Sequence, residues 1–234
     1  MRKIFRSLAS LVIVATLAIS PAFGIHKKQL TKLQEQQHKS MHEIVMVNRD
    51  ADGKVIGGGL CTAYAVGPHT LLTAEHCNDE YATGVYIDAP LELIRPQKVM
   101  SYKIISRTFD KQDHMLLDVS GTYFKNTIEL TDHVRVPRQG EHTYQWGNPG
   151  GMRDQYREGL VMGNMPNVDN DEINATGAIY LIQETVIGGD SGSSVFSAED
   201  GQLIGIITYG IDDGKIAGVY AIVFTQAQIT ASMQ

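Results

Sequence analysis

Gly188-Gly189-Asp190-Ser191-Gly192-Ser193-Ser194-Val195 is the stretch from which the rest of this sequence is best read. A glycine at 189 lets the backbone turn tightly enough for its N–H and that of Ser191 to point at one spot. Two convergent N–H groups suit a developing oxyanion. Gly192 leaves the space above Ser191 open. The competing reading is a glycine- and serine-rich hairpin turn. A serine alone is a weak nucleophile and needs a neighbouring base. Upstream, Thr73-Ala74-Glu75-His76-Cys77 supplies a histidine just after the apolar run Leu71-Leu72-Thr73-Ala74, where a buried strand would end. An imidazole that gains a proton needs an orienting carboxylate. Asp110, Asp113 and Asp118 are the carboxylates around Asp113-His114-Met115-Leu116-Leu117.

Together the three stretches resemble the trypsin/chymotrypsin-like serine peptidases, whose chain order is His, then Asp, then Ser, as here. The resemblance covers about residues 43–225. It implies His76 as base, Asp113 as its orienting carboxylate and Ser191 as nucleophile. Asp113 with the following His-Met-Leu-Leu matches the family pattern of Asp, a variable pair and two apolar residues. Asp110 lies outside that pattern, and Asp118 follows it. Glu75 departs from the family's Thr-Ala-Ala-His-Cys and sets a charge beside His76. The N–H groups of Gly189 and Ser191 are the implied oxyanion hole. No cofactor and no metal are implied, and the partner is a polypeptide substrate.

Further expectations follow from the same resemblance. Thr185, six residues before Ser191, falls at the floor of the primary specificity pocket. Thr208-Tyr209-Gly210 resembles the family's Ser-Trp-Gly strand, which lines that pocket and pairs with substrate backbone. Gly218-Val219-Tyr220 resembles the segment that closes it. A neutral Thr185 leaves a cationic side chain unpaired, and Ile207 stands where glutamate-specific relatives carry His. A medium or large uncharged residue before the cut is the expected preference. Cys61 and Cys77, 16 residues apart, resemble the family's disulfide next to the histidine, with two free buried thiols as the alternative. In animal members the aspartate matching Asp190 pairs with an N-terminal amine released by a cut before Ile-Val-Gly-Gly. The nearest match here, Ile44-Val45-Met46-Val47, follows Glu43 rather than Lys or Arg. Arg153 and Arg157 are candidate internal cations for Asp190.

The 234 residues, 43% hydrophobic, suit one all-β domain or two small fused barrels. Short strand patterns separated by turns occur at 44–47, 54–65, 70–73, 85–88, 97–107 and 115–119. They resume at 144–147, 156–162, 178–183, 194–196, 203–209 and 219–224. No long helical pattern intervenes, the signature of an antiparallel sandwich or barrel. With the resemblance, the expected fold is all-β: two antiparallel six-stranded chymotrypsin-like barrels, with 225–233 able to form a short C-terminal helix. Residues 1–24 read as a signal peptide, with a basic start and an apolar run from Leu8 to Ile19. Cleavage is expected after Gly24, with Ser20 and Ala22 as alternatives. Residues 25–42 read as a linker, a pro-segment or a short amphipathic helix. The first barrel is assigned to 43–125 and the second, with the C-terminal segment, to 126–234. Residues 167–174 form an acidic loop whose spacing matches no calcium frame.

The formal net charge is −6, and removing Arg2, Lys3 and Arg6 with the leader makes it about −9. Such a chain is a poor partner for nucleic acid. The expected protein is secreted or periplasmic, free of the membrane after leader removal, and monomeric. An esterase using the same residues and a non-catalytic homologue acting as a binding module are the rival readings.

Overall fold

Short apolar runs ended by Gly, Asp and Asn turns leave the chain few ways to satisfy its backbone other than antiparallel ladders. The computed structural model describes residues 21–94, 98–132, 134–170 and 175–233. Most of the expected leader lies outside them. Strands β1 (Met41–Arg49), β2 (Val55–Ala65), β3 (Thr70–Ala74), β4 (Gly84–Ile87), β5 (Tyr102–Phe109) and β6 (His114–Ser120) close one barrel in the order β1-β2-β3-β6-β5-β4. Strands β7 (His142–Gly147), β8 (Gln155–Asn170), β9 (Ala175–Gln183), β10 (Ser194–Ser197), β11 (Leu203–Ile211) and β12 (Ile216–Tyr220) close the second in the order β10-β11-β12-β9-β8-β7. Closure removes the exposed edges an open sheet would present. The expected architecture of two antiparallel six-stranded barrels is the observed one.

The first barrel is built around β3, where all five residues are buried. Leu71 and Leu72 face Leu117 and Leu116 of β6 across the ladder. Each such buried leucine stabilises the fold by roughly 1.5–3 kcal/mol. One apolar cluster runs from these residues through Tyr64 to Tyr144, Phe196, Ile206 and Phe224 of the second half. Tyr64 crosses the seam: its ring meets Phe196 at 5.7 Å and its hydroxyl donates to the Trp146 carbonyl at 2.8 Å. One apolar cluster therefore spans both barrels and fixes the cleft between them, while Ile182, Val195, Ile204 and Val219 form a further cluster within the second.

Three local features add to the sequence reading, the first by taking up the helix that was one of the alternatives for residues 25–42. Residues 21–39 are a helix, α1 (Pro21–Lys39), and it packs on the second barrel. Leu30 and Leu33 cover Gly201. Gln37 is buried, donates to the Gly201 carbonyl at 2.8 Å and accepts the Tyr144 hydroxyl at 2.7 Å. Strand β8 runs on to Asn170 because Val168, Asp169 and Asn170 pair with Gly177, Thr176 and Ala175, so part of the expected acidic loop is ladder. A single helical turn, α2 (Leu91–Ile94), buries Ile94, a residue no strand pattern claimed. The C-terminal helix α3 (Gln226–Ser232) is present, with a capping box between Thr225 and Gln228. Such a cap contributes about 1 kcal/mol.

Candidate active site

Antiparallel pairing of β3 with β6 places Ala74 opposite His114. The chain leaves β3 into a short 3-10 helix, Glu75–Cys77, and enters β6 from Asp113, so His76 and Asp113 meet at the barrel's rim. The disulfide joins Cys61 of β2 to Cys77, with Cα atoms 6.2 Å apart, and anchors that turn. In the chain-entropy account such a loop contributes roughly 3 kcal/mol. His76 Nδ1 lies 2.6 Å from Asp113 Oδ2, and Asp113 Oδ1 accepts the His76 backbone N–H at 2.8 Å. Asp113 is fully buried. An ionised carboxylate only accepts, so Nδ1 carries the proton and Nε2 presents its lone pair. Nε2 lies 2.7 Å from Ser191 Oγ. Asp110 pairs instead with His114, and Asp118 with Thr70 and Ser106. Burial pushes the Glu75 carboxyl up, and the charges of Asp113 and Asp110 push it further.

Ser191 arrives from the second barrel on the turn before β10. Gly189 has φ +101°, and a Cβ there would meet the Asn148 carbonyl oxygen at 2.4 Å. Gly192 has φ +86°, and a Cβ there would lie 2.1 Å from the Thr62 carbonyl oxygen. Only glycine fits either place. Thr62 of β2 holds the turn from across the seam. Its N–H donates to the Ser191 carbonyl at 2.9 Å and its hydroxyl to the Gly189 carbonyl at 2.8 Å. Those carbonyls are drawn toward the first barrel. Among the described residues no acceptor takes the N–H of Gly189 or Ser191.

The family model for trypsin matches residues 32–230. The chain belongs to the trypsin family of serine endopeptidases. This trypsin-family chain also superposes on the Rv3671c protease from M. tuberculosis in its active form, with a TM-score of 0.61. The two are 16% identical, and the match covers 98% of this chain and 92% of that one. The inactive form of Rv3671c protease matches with a TM-score of 0.58 and 16% identity, over 91% of this chain and 93% of that one. At this identity the likeness shows the shared fold alone. No curated protein matches the sequence.

In this trypsin-family chain Asp190 is buried beneath the Ser191 turn, and Arg157 of β8 grips it with both guanidinium nitrogens. The Ile187 N–H adds a third bond to that carboxylate at 2.9 Å. Arg153, the other candidate, pairs with Glu43 at 2.8 Å. Burial pushes the neighbouring Glu184 carboxyl up to about 7, against the pull of Arg157 and with the push of Asp190.

A pocket of about 240 Å³ opens beside Ser191, lined by Val186, Ile187, Gly188, Asp190, Ile207, Tyr209 and Gly210. Thr185 does not line it. Residues 184–186 alternate in, out, in, so Glu184 and Val186 are buried while Thr185 is exposed and its carbonyl accepts from Arg157 at 2.9 Å. Val186 is among its lining residues, with a methyl 2.9 Å from where a Cβ on Gly210 would stand. Tyr209 is part-buried, with its ring against Gly218. Thr208 is buried and donates to the Gly218 carbonyl at 3.2 Å. Thr62 and Val186 escaped the sequence reading. Thr62 lies in an ordinary strand run and Val186 in the loop after β9, and nothing local marks a residue that acts across the seam or lines a pocket.

Proposed function

We propose that this chain is an exported serine endopeptidase in which Asp113, His76 and Ser191 act as a triad. The observation that carries the reading is the unbroken line of hydrogen bonds from Asp113 through His76 to Ser191 Oγ, at 2.6 and 2.7 Å. As Ser191 Oγ bonds to the scissile carbonyl carbon, its proton passes to His76 Nε2 and Asp113 stabilises the imidazolium. The carbonyl oxygen becomes an oxyanion held by the N–H groups of Gly189 and Ser191, each donor worth on the order of 10²–10³ in kcat. His76 then protonates the leaving amine as the C–N bond breaks. Water, activated by the same imidazole, releases the acyl group from Ser191.

The proposed substrate presents an uncharged aliphatic side chain to the pocket beside Ser191. Val186 in the lining narrows the broader expectation of a medium or large uncharged residue to side chains that stop at its methyls. Export is supported by the basic and apolar N-terminal stretch and by the Cys61–Cys77 disulfide, which persists in oxidising compartments.

Labelling with a fluorophosphonate tests the triad, followed by digestion of a peptide library. The wild-type chain is expected to be labelled at Ser191 and to cleave peptides. Ser191→Ala should lose labelling and on the order of 10⁶-fold in kcat. Persistent turnover in pure Ser191→Ala would remove the assignment. Absence of labelling in the wild type would favour a binding homologue, and labelling with ester but no peptide hydrolysis would favour an esterase.

A further inference from the structure

Directly behind Asp113 lies a second histidine–carboxylate pair that the proposed triad does not use. His114 Nδ1 is 2.6 Å from Asp110 Oδ2, with the two side chains 0% and 2% exposed. Asp110 accepts three backbone N–H groups as well: Gln112 at 2.8 Å, His114 at 3.1 Å and Val223 at 3.2 Å. Its own N–H donates to the His114 carbonyl at 3.2 Å. The carboxylate thus closes residues 110–114 into a tight loop and ties that loop to the segment after β12.

Asp113 sits inside this loop with φ +61°, in the left-handed region. Aspartate tolerates that region better than most residues, but it does not favour it. Something must hold Asp113 there, because only from that backbone conformation do its two oxygens reach the His76 N–H and Nδ1. The bonds flanking Asp113 are those made by Asp110 to positions 112 and 114. The Glu75 N–H also donates to the Asp113 carbonyl at 2.9 Å and so passes the loop's position on to the 3-10 helix carrying His76.

We propose that Asp110 and His114 are positioning residues that hold Asp113, and through it the His76 ring, in the reactive orientation. Neither touches the reacting atoms. His114 donates Nδ1–H to Asp110 and locks the carboxylate that staples the loop. The contact to Val223 makes the first-barrel loop sense the docking of the chain's last segment. This inference rests on the Asp113–His76–Ser191 reading.

Steady-state kinetics on a cleaved peptide, with active sites titrated by fluorophosphonate, test it on Asp110→Asn, His114→Leu, His114→Asn, His114→Gln and Asp113→Asn. Small displacements of a catalytic group cost on the order of 100-fold, so Asp110→Asn and His114→Leu should lose that much kcat with KM unchanged. His114→Asn keeps an N–H at the Nδ1 place and should recover most of the loss. His114→Gln puts its N–H one carbon farther out and should not. This asparagine–glutamine contrast decides the matter even where His114→Leu fails to fold, since packing alone would not separate the two amides in kcat. Wild-type kcat in folded Asp110→Asn, or equal kcat in the asparagine and glutamine variants, would overturn the proposal. Wild-type kcat in Asp113→Asn would instead overturn the triad itself.

Discussion

Replacing Arg157 with methionine should switch the enzyme off without altering any reacting atom. Asp190 lies between Gly189 and Ser191, the two residues whose N–H groups form the proposed oxyanion hole. Its carboxylate is 1% exposed, and both oxygens are held by Arg157. Removing one partner of a buried pair leaves an uncompensated charge and costs about 3–5 kcal/mol. The Ile187 N–H alone cannot offset that. The cost falls on the turn, which relaxes by carrying Asp190 toward water and its neighbours out of register. At 1.36 kcal/mol per decade, the population holding the hole falls on the order of 10²–10⁴-fold. The readout is kcat/KM together with the rate of fluorophosphonate labelling, which needs the same hole. Adding Asp190→Asn to Arg157→Met should recover stability, because the orphan is no longer a charge. The arrangement also bears on activation. Ile44 is fully buried in the middle of β1, opposite Cys61 and Ile87, and Asp190 already has Arg157 as its cation, so the carboxylate needs no amine released at 44. A chain beginning at Ile25 should therefore be active with no cut before Ile44. Unchanged kcat/KM in Arg157→Met would refute the reasoning, as would activity confined to a species whose sequenced terminus is Ile44.

Two further outcomes are expected. The Glu184 carboxyl is pushed up to about 7 from its ordinary 4.5, so the folded chain binds its proton more tightly than the unfolded chain. Stability from this group is fully present below about pH 4.5 and is lost as pH rises to about 7, a swing of about 3 kcal/mol by linkage. Glu184→Gln should flatten urea-unfolding stability over that window, and identical slopes in the two proteins would contradict the assignment. Val186→Ala should deepen the pocket beside Ser191 and raise kcat/KM for a phenylalanyl over a valyl side chain about tenfold or more. A peptide-library profile that is the same before and after the change would show that Val186 does not set the depth.

The barrels and the residues at the site were legible to very different degrees. Strand runs such as Leu71-Leu72 and Leu116-Leu117 announce themselves because one face or both must be buried. Glycines 189 and 192 were legible because nothing else survives at their φ values and close approaches. Helix α1 was legible only as one of three alternatives, since its weak apolar stripe is supplemented by Gln37, whose burial depends on partners more than 100 positions away. Thr185 was misplaced by counting back from Ser191. Counting gives a position along the chain, whereas the in-out-in burial of Glu184, Thr185 and Val186 decides which side chain faces the pocket. The partner of Asp190 could be narrowed to two arginines but not chosen, because Arg153 sits in the turn before β8 and Arg157 within β8, and which of them reaches Asp190 depends on how that turn and ladder fold.

The nucleophile's turn is held from outside its own barrel, and this sets a condition on activity. Gly189 and Ser191 both give their carbonyls to Thr62, one to its hydroxyl and one to its N–H. A peptide plane that aims its carbonyl one way aims its N–H the other, so fixing these two carbonyls orients the N–H groups of Asp190 and Gly192, while the Gly189 and Ser191 N–H groups share planes with the Gly188 and Asp190 carbonyls, which accept from the Gly150 and Ser193 N–H groups. The Thr62 hydroxyl is itself held by the Asn148 N–H at 3.0 Å, which returns the constraint to the second barrel. Gly192 lies so close to the Thr62 carbonyl that the turn can dock only one way. The docking of the Ser191 turn is therefore a property of the seam, as is the meeting of His76 with Ser191. Neither half-site exists until β2 and the 188–194 turn are in contact, and the shared core from Leu71 to Phe196 brings them there.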